Sequence, residues 1–338
     1  MNSELALDAT ARAAASGDFV DIASYSRGSD AAARNEFLLF FKPELTAPIE
    51  RLGRVWDVVQ GALARFDCEI VAAAACGARY LQRHRIFEQH YGVINQISTR
   101  GLAAVTETGR TRIEQLFRQE GRELEVLGGH QFLERFPTYT AESLAELHDS
   151  KPLHRFAGGT HGVIVSVDGR DILLLDGFHP LQLEEYYTEG RSILNLVLRS
   201  PARWKSLRQE LTGVTNPSKA DPDSIRGLLL RQKDVLGLPE VSPMHNGVHL
   251  SAGPVEAIVE ISRFMSDHDR GVIIAPEDTT LGHELARAGG PDLLAALCAN
   301  VDVRYDSASE SVFDLTEEWD SSTLLSAVSE RSLVPLAG

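Results

Sequence analysis

The chain has 338 residues, of which 43% are hydrophobic and 24% are charged, a composition typical of a folded globular protein and not of a disordered chain. Its formal net charge of −15 argues against binding to duplex nucleic acid, which requires a basic face. The three cysteines have no metal-ligand spacing and form no even disulfide framework.

The N-terminal segment is acidic where a signal peptide is basic, and no apolar h-region follows it. No apolar stretch reaches the roughly 18 residues that a membrane-spanning helix needs. We therefore expect a cytoplasmic protein without a membrane partner. Residues 1–34, rich in Ala, Ser, Asp and Gly, are interpreted as a helical or partly disordered lead-in.

Residues 35–95 form the first strongly patterned region. The apolar run Phe37–Phe41, closed by Lys42-Pro43, predicts a buried strand that ends in a loop. Apolar residues at helical spacing predict a helix over 48–66. A second strand is predicted over 68–75, followed by a polar helix over 79–91.

Residues 96–191 are less regular and predict an inserted lobe. Two short β-branched runs flank Asp168-Gly169, a dipeptide that tolerates positive φ, so a hairpin is predicted over 162–175. The segment also contains four histidines that lack metal-ligand spacing, and we expect no protein-held metal there: His148, His154, His161 and His179.

Residues 192–269 form the second patterned region, with a strand predicted over 193–198 and a helix over 201–211. A short strand is predicted through 246–249 and an amphipathic helix over 254–265. Residues 270–338 are interpreted as a C-terminal extension.

Several residues in this second region suggest phosphate chemistry. Thr215 offers a hydroxyl, and Arg226 offers a planar fork suited to phosphate oxygens. His249 precedes a predicted helix that Ser251 could cap, and a helix N-terminus favours anions. Glu260 could bond to one imidazole nitrogen and leave the other as a nucleophile.

These residues also resemble the nucleoside diphosphate kinase family. The run TNPSKADPDSIRG (215–227) is similar to the family's Thr-Asn-Pro loop with its following Ile-Arg-Gly, and NGVHLS (246–251) to the segment around its phosphorylated histidine. Glu260 matches the family's glutamate behind that histidine. FLLFFKPE (37–44) resembles the opening strand, and EQHYG (88–92) resembles the end of the nucleotide-cleft helix.

The resemblance implies a phosphotransferase in which His249 takes the γ-phosphoryl group of ATP as phosphohistidine and passes it to a nucleotide or small-metabolite acceptor. Mg²⁺ would arrive with ATP. Glu260 would orient the imidazole, Tyr91 would lie beside it and Asn246 would contact the sugar hydroxyls. The resemblance assigns the remaining cleft residues to the nucleotide and its phosphates: Lys42, Arg208, Thr215, Arg226 and Ser251.

The implied fold is α/β (α+β): a ferredoxin-like βαββαβ antiparallel core of the nucleoside diphosphate kinase type, with an inserted lobe. Family members are commonly oligomers, so a homo-oligomer is allowed. The sequence departs from the family pattern at Leu250 and Ala252, and in the long segment 96–191. Two alternatives therefore stay open: a nucleotide-binding regulatory protein without turnover, or an enzyme with the same fold and different chemistry on a nucleotide.

Overall fold

The structure is a computed structural model that describes residues 3–336. In chain order its strands are β1 (Phe19–Ala23), β2 (Asn35–Phe41), β3 (Glu69–Gly77), β4 (Glu125–Gly128), β5 (His154–Ala157), β6 (Thr160–Val167), β7 (Arg170–Leu175), β8 (Ser192–Ser200), β9 (Val248–Leu250), β10 (Asp302–Tyr305), β11 (Ala308–Ser311) and β12 (Leu333–Pro335).

The structure also describes the helices in chain order. They are α1 (Ser3–Ser16), α2 (Pro43–Thr46), α3 (Ile49–Ala64), α4 (Ala78–Arg83), α5 (Ile86–His90), α6 (Gly92–Arg100), α7 (Glu107–Glu120), α8 (Gly129–Arg135), α9 (Ala141–Asp149), α10 (His179–Tyr187), α11 (Trp204–Ser206), α12 (Ile225–Arg231), α13 (Lys233–Leu236), α14 (Pro254–Met265), α15 (Thr280–Gly289), α16 (Pro291–Cys298), α17 (Val312–Thr316) and α18 (Ser321–Ser329). Short 3₁₀ turns occur at Gly101–Ala104, Pro217–Lys219 and Pro276–Asp278, and a π-helical turn at Leu207–Thr212.

The chain divides into two compact units. The first unit contains the residues up to Tyr80 together with those from Glu189 onward, and the second contains Leu81–Thr188. The second unit therefore begins before the predicted insertion at 96, because α5 and α6 pack against each other and against α10 within that unit. The predicted lead-in, residues 35–80 of the first core segment, the second core segment and the C-terminal extension belong to the first unit.

The first unit is built on a five-stranded sheet in the order β1-β3-β8-β2-β9. Each neighbouring pair in this sheet is antiparallel. Strand β2, which lies between β8 and β9, is buried along its whole length, as the continuous apolar run predicts for a strand covered on both faces. The chain is thus a mixed α/β protein with antiparallel sheet.

Alternate side chains of β2 belong to different packing layers. Phe37, Leu39 and Phe41 join the core cluster formed with α3, where Phe41 stacks on Trp56 at a ring distance of 5.8 Å. Phe40 points to the other face and packs against Phe264 of α14, with ring centroids 5.2 Å apart. This alternation follows from the two-residue repeat of a strand.

Two predicted helices differ from those in the structure. The predicted helix over 79–91 is interrupted between α4 and α5, because Arg85 adopts a left-handed conformation with φ +52°. The predicted helix over 201–211 begins only at Trp204 and continues as the π-helical turn. By contrast, the predicted helix over 254–265 is confirmed as α14.

The C-terminal segment forms its own small core. Strands β10, β11 and β12 make an antiparallel sheet, and apolar residues of α15, α16 and α18 pack beside it. Val255 and Ile258 of α14 belong to the same cluster, so α14 contacts both this core and the central sheet.

The second unit contains a four-stranded sheet in the order β4-β7-β6-β5. The predicted hairpin is confirmed: β6 and β7 pair in antiparallel fashion, and Asp168 and Gly169 at the turn have φ of +51° and +75°. Among the helices that the structure describes in either unit, none is long and apolar enough to cross a membrane.

Candidate functional site

A histidine–glutamate pair lies at the edge of the central sheet in the first unit. Strand β9 places His249 opposite Phe40 of β2, and the two rings stack with centroids 4.7 Å apart and an interplanar angle of 20°. Glu260 extends from α14, and its Oε1 lies 2.9 Å from the imidazole Nε2. The predicted contact between these two residues is therefore present.

Ser251 connects this pair to the sheet. Its hydroxyl donates to Oε2 of Glu260 at 2.5 Å and accepts the backbone N–H of Leu38 at 3.0 Å. The prediction that Ser251 caps the following helix is wrong, since α14 begins at Pro254 with Gly253 as the N-cap and no side-chain cap. Because both oxygens of Glu260 are bonded, its carboxylate has a defined orientation.

The pair also fixes the chemistry of the imidazole. When the Glu260 carboxylate is ionised it only accepts hydrogen bonds, and Nε2 of His249 is then the donor. A neutral imidazole with its proton on Nε2 carries its lone pair on Nδ1.

Lys42 follows the last residue of β2 and is half-buried. Its Nζ donates to the carbonyl of Met244 at 3.2 Å. Burial lowers the pKa of Lys42 to about 8; Glu44 opposes this shift and Arg226 adds to it. Glu44 in turn accepts the backbone N–H of Gly247 at 2.9 Å, which ties the end of β2 to the loop before His249.

Arg226 bonds to two backbone carbonyls, and its predicted role in binding phosphate stays a prediction. Its Nη1 donates to the carbonyl of Gly213 and its Nη2 to the carbonyl of Val248, each at 2.8 Å. The guanidinium consequently joins the π-helical turn's end to β9. Sequence spacing could not reveal this, because the two acceptors are backbone groups.

A cleft of about 150 Å³ lies beside Arg226 and contains other predicted site residues. Its lining residues are Arg208, Gln209, Thr212, Gly213, Val214, Thr215, Arg226, Leu250 and Glu318. The structure thus brings three predicted phosphate-binding residues to one cleft. His249 and Lys42 are not among the lining residues of that cleft.

Asn246 and Arg208, two of the predicted site residues, make further contacts around the cleft. Asn246 is buried, and its Nδ2 donates to the carbonyls of Thr215 at 3.2 Å and Pro243 at 3.0 Å. Arg208 pairs with Glu317, with Nη2 and Oε1 2.9 Å apart. The predicted contact of Asn246 with sugar hydroxyls stays a prediction.

Tyr91 belongs to the second unit. There its ring stacks on Phe87 at 6.0 Å and its hydroxyl lies 3.5 Å from that of Tyr186. Its predicted place beside His249 stays a prediction.

The histidines of the second unit have separate environments. His161 Nδ1 lies 3.3 Å from Asp176, whereas the buried His179 lies between Gln182 and Asn95 at 3.0 and 3.3 Å. Burial lowers the pKa of His179 to about 4, as expected for a neutral core imidazole.

An acidic group that was not predicted from the sequence lies next to the pair. Glu256 lies one turn before Glu260 on α14, and among the described residues its Oε2 is buried without a hydrogen-bond partner. Burial, followed by the neighbouring Glu260, raises the pKa of Glu256 to about 8, while Arg208 opposes the shift. The four-residue spacing of the two glutamates was the available signal.

Comparison with known proteins adds only weak similarity. No protein-family model and no curated protein matches the chain. Among solved structures, a nucleoside diphosphate kinase from Encephalitozoon cuniculi is similar at 13% identity over 68% of this chain and 88% of that chain, with a TM-score of 0.31. An NDP kinase from Pyrobaculum aerophilum is similar at 18% identity over 71% of this chain and 98% of that chain, with a TM-score of 0.33. TM-scores this low assign neither a family nor an activity.

Proposed function

We propose that the chain is a phosphotransferase of the nucleoside diphosphate kinase type, with His249 as the phosphoryl carrier. The observation that carries this proposal is the bond of 2.9 Å between His249 Nε2 and Glu260, whose other carboxylate oxygen accepts the Ser251 hydroxyl. A nucleophile oriented by a third group in this way is the arrangement that covalent catalysis uses.

The order of the strands supports the same proposal. Leaving β1 aside, the strands of the central sheet occur along the chain as β2, β3, β8 and β9, with α3 between the first two. Their spatial order, β3-β8-β2-β9 with antiparallel pairing, is the order expected of a ferredoxin-like βαββαβ core and so supports the proposal. In this proposal the second unit is an insertion between the second and third core strands.

The reaction would proceed as two displacements. The Nδ1 lone pair of His249 attacks the γ-phosphorus of ATP, a P–N bond forms, and the bond to the bridging oxygen breaks so that ADP leaves with the electron pair. Glu260 stabilises the positive charge that develops on the ring. In the second step an oxygen of the acceptor attacks the same phosphorus and the P–N bond breaks.

Phosphoryl transfer depends mainly on positioning and electrostatic stabilisation. Arg208 and Thr215 line the cleft and supply a cation and a hydroxyl for phosphate oxygens. Lys42 supplies a second cation below its pKa of about 8. Mg²⁺ would enter bound to the nucleotide phosphates.

Labelling tests this proposal directly. The protein is incubated with γ-labelled ATP and Mg²⁺, and the label on the chain is tested for stability in acid and in base. The proposal expects acid-labile, base-stable label on the wild type and none on His249→Ala. His245→Ala is the matched control, because its ring lies in the preceding loop and bonds to Glu240. Equal labelling of wild type and His249→Ala would contradict the proposal.

A second candidate is a nucleotide-binding protein without turnover. It is favoured by the contacts of two cleft arginines, since Arg226 donates to backbone carbonyls and Arg208 pairs with Glu317. This candidate predicts ATP binding without label. Turnover of ATP without label would instead indicate different chemistry on the nucleotide.

A further inference from the structure

An acidic turn from the C-terminal segment lies against the cleft. Glu317 and Glu318 follow α17, and Glu318 has φ +60°, a conformation that reverses the chain. The backbone N–H of Glu318 donates to the carbonyl of Ala252 at 3.0 Å, so the turn is fixed next to the segment that precedes α14.

Both carboxylates of this turn contact the cleft's own residues. Glu317 pairs with Arg208 at 2.9 Å, and the two side chains are 50% and 30% exposed. Gln209 Nε2 lies 3.2 Å from each carboxylate oxygen of Glu318. Glu318 also lines the cleft itself. A carboxylate therefore occupies the position that a phosphate oxygen would take at Arg208.

A second acidic group, Glu256, interacts with the same arginine. Glu317 and Asp314 both contribute to the raised pKa of Glu256, after burial and the neighbouring Glu260. Arg208 acts in the opposite direction on Glu256. An incoming anion must therefore compete with Glu317 for Arg208.

We infer that the Glu317–Glu318 turn is a specificity-determining part of the ligand site, in which Glu317 competes with a bound phosphate group for Arg208. This inference rests on the proposed function, because it concerns the same cleft. The competition favours ligands whose phosphate groups carry enough charge to displace a carboxylate, such as a diphosphate or triphosphate. A ligand with a single negative charge binds less tightly, because it displaces the carboxylate less effectively.

The pair with Arg208 contributes little to folding, since ion pairs between exposed side chains stabilise proteins only weakly. The backbone bond to Ala252 holds the turn independently of the Glu317 side chain. Removing the charge of Glu317 therefore changes anion affinity without unfolding the chain.

Inorganic pyrophosphate is the probe, because its binding reports on the cleft without requiring phosphoryl transfer. Calorimetric titration of the full chain compares wild type with Glu317→Gln, and Glu310→Gln on β11 is the control for loss of one acidic charge from the same segment. We expect Glu317→Gln to bind pyrophosphate roughly two- to fivefold more tightly than wild type, the range that follows from one exposed ion pair. Glu310→Gln should bind like the wild type.

The double variant Arg208→Gln/Glu317→Gln locates the effect. If the competition is for Arg208, the double variant loses the gain seen in Glu317→Gln. The inference would be overturned if Glu317→Gln bound pyrophosphate no more tightly than the wild type, or if neither protein bound it. It would also be overturned if the gain in affinity persisted in the double variant. The pyrophosphate comparison does not require phosphorylation of His249. A negative labelling result would therefore contradict the proposed function without contradicting this inference.

Discussion

Replacing Glu256 by Gln should make the protein more stable at neutral and alkaline pH. The structure holds this side chain in a place that disfavours its charge, with Oε2 buried and without a hydrogen-bond partner among the described residues. The pKa of Glu256 is raised from 4.5 to about 8, mainly by burial and secondly by the neighbouring Glu260. Gln has nearly the same shape and never ionises.

The sign and size of the effect follow from linkage. Below pH 4.5 both the folded and the unfolded chain hold the proton, so the shift has no effect on stability. As the pH rises towards about 8, the unfolded chain binds fewer protons than the folded one, and the free energy of unfolding falls. At about 1.4 kcal/mol for each pKa unit, the shift from 4.5 to about 8 corresponds to at most on the order of 5 kcal/mol. Relaxation and water penetration reduce such penalties, so we expect about 2 kcal/mol or more.

Urea unfolding at pH 5, 7 and 9 measures the difference between Glu256→Gln and wild type. The stability advantage of Glu256→Gln should grow from pH 5 to pH 9. Glu284→Gln is the control, because Glu284 lies in an exposed pair with Arg287 on α15. A difference between Glu256→Gln and wild type that is constant across this range would refute the reasoning about burial.

Three further predictions test individual contacts. Because the pKa of Lys42 is about 8, labelling by ATP should decline as the pH rises through that value, and this decline should be absent in Lys42→Gln. The same decline in the variant would rule out Lys42 as its source. Ser251→Ala removes the partner of both Glu260 and the Leu38 N–H, so urea unfolding should show a loss of about 1–3 kcal/mol, and a neutral result would contradict the contact. Trp56→Ala should lower the free energy of unfolding by about 3–5 kcal/mol, since the indole is 1% exposed against Phe41; a loss below about 1 kcal/mol would show that this core is not packed as described.

Local patterns in the sequence predicted the parts of the fold that local physics determines. The apolar run of β2 predicted a strand buried on both faces, and the helical spacing of apolar residues predicted α14 with its observed ends. The spacing of eleven residues between His249 and Glu260 also predicted their contact, because a short loop and one helix connect them. These features depend on neighbouring residues only.

The contacts that the sequence did not reveal join distant parts of the chain. Arg208 meets a glutamate that lies 109 residues further along, and no local pattern indicates such a partner. The acceptors of Arg226 are backbone carbonyls, which every residue possesses. Side-chain type therefore predicted that these arginines bind oxygen atoms, but not which ones.

The identity of the phosphorylated atom tests the central claim most directly. ³¹P NMR of the protein after reaction with ATP and Mg²⁺, combined with peptide mapping, distinguishes the two nitrogens of a phosphohistidine. Since Nε2 of His249 bonds to Glu260, the account predicts phosphorus on Nδ1 of His249. Phosphorus on Nε2 of that ring, on another residue, or on no residue at all would contradict it.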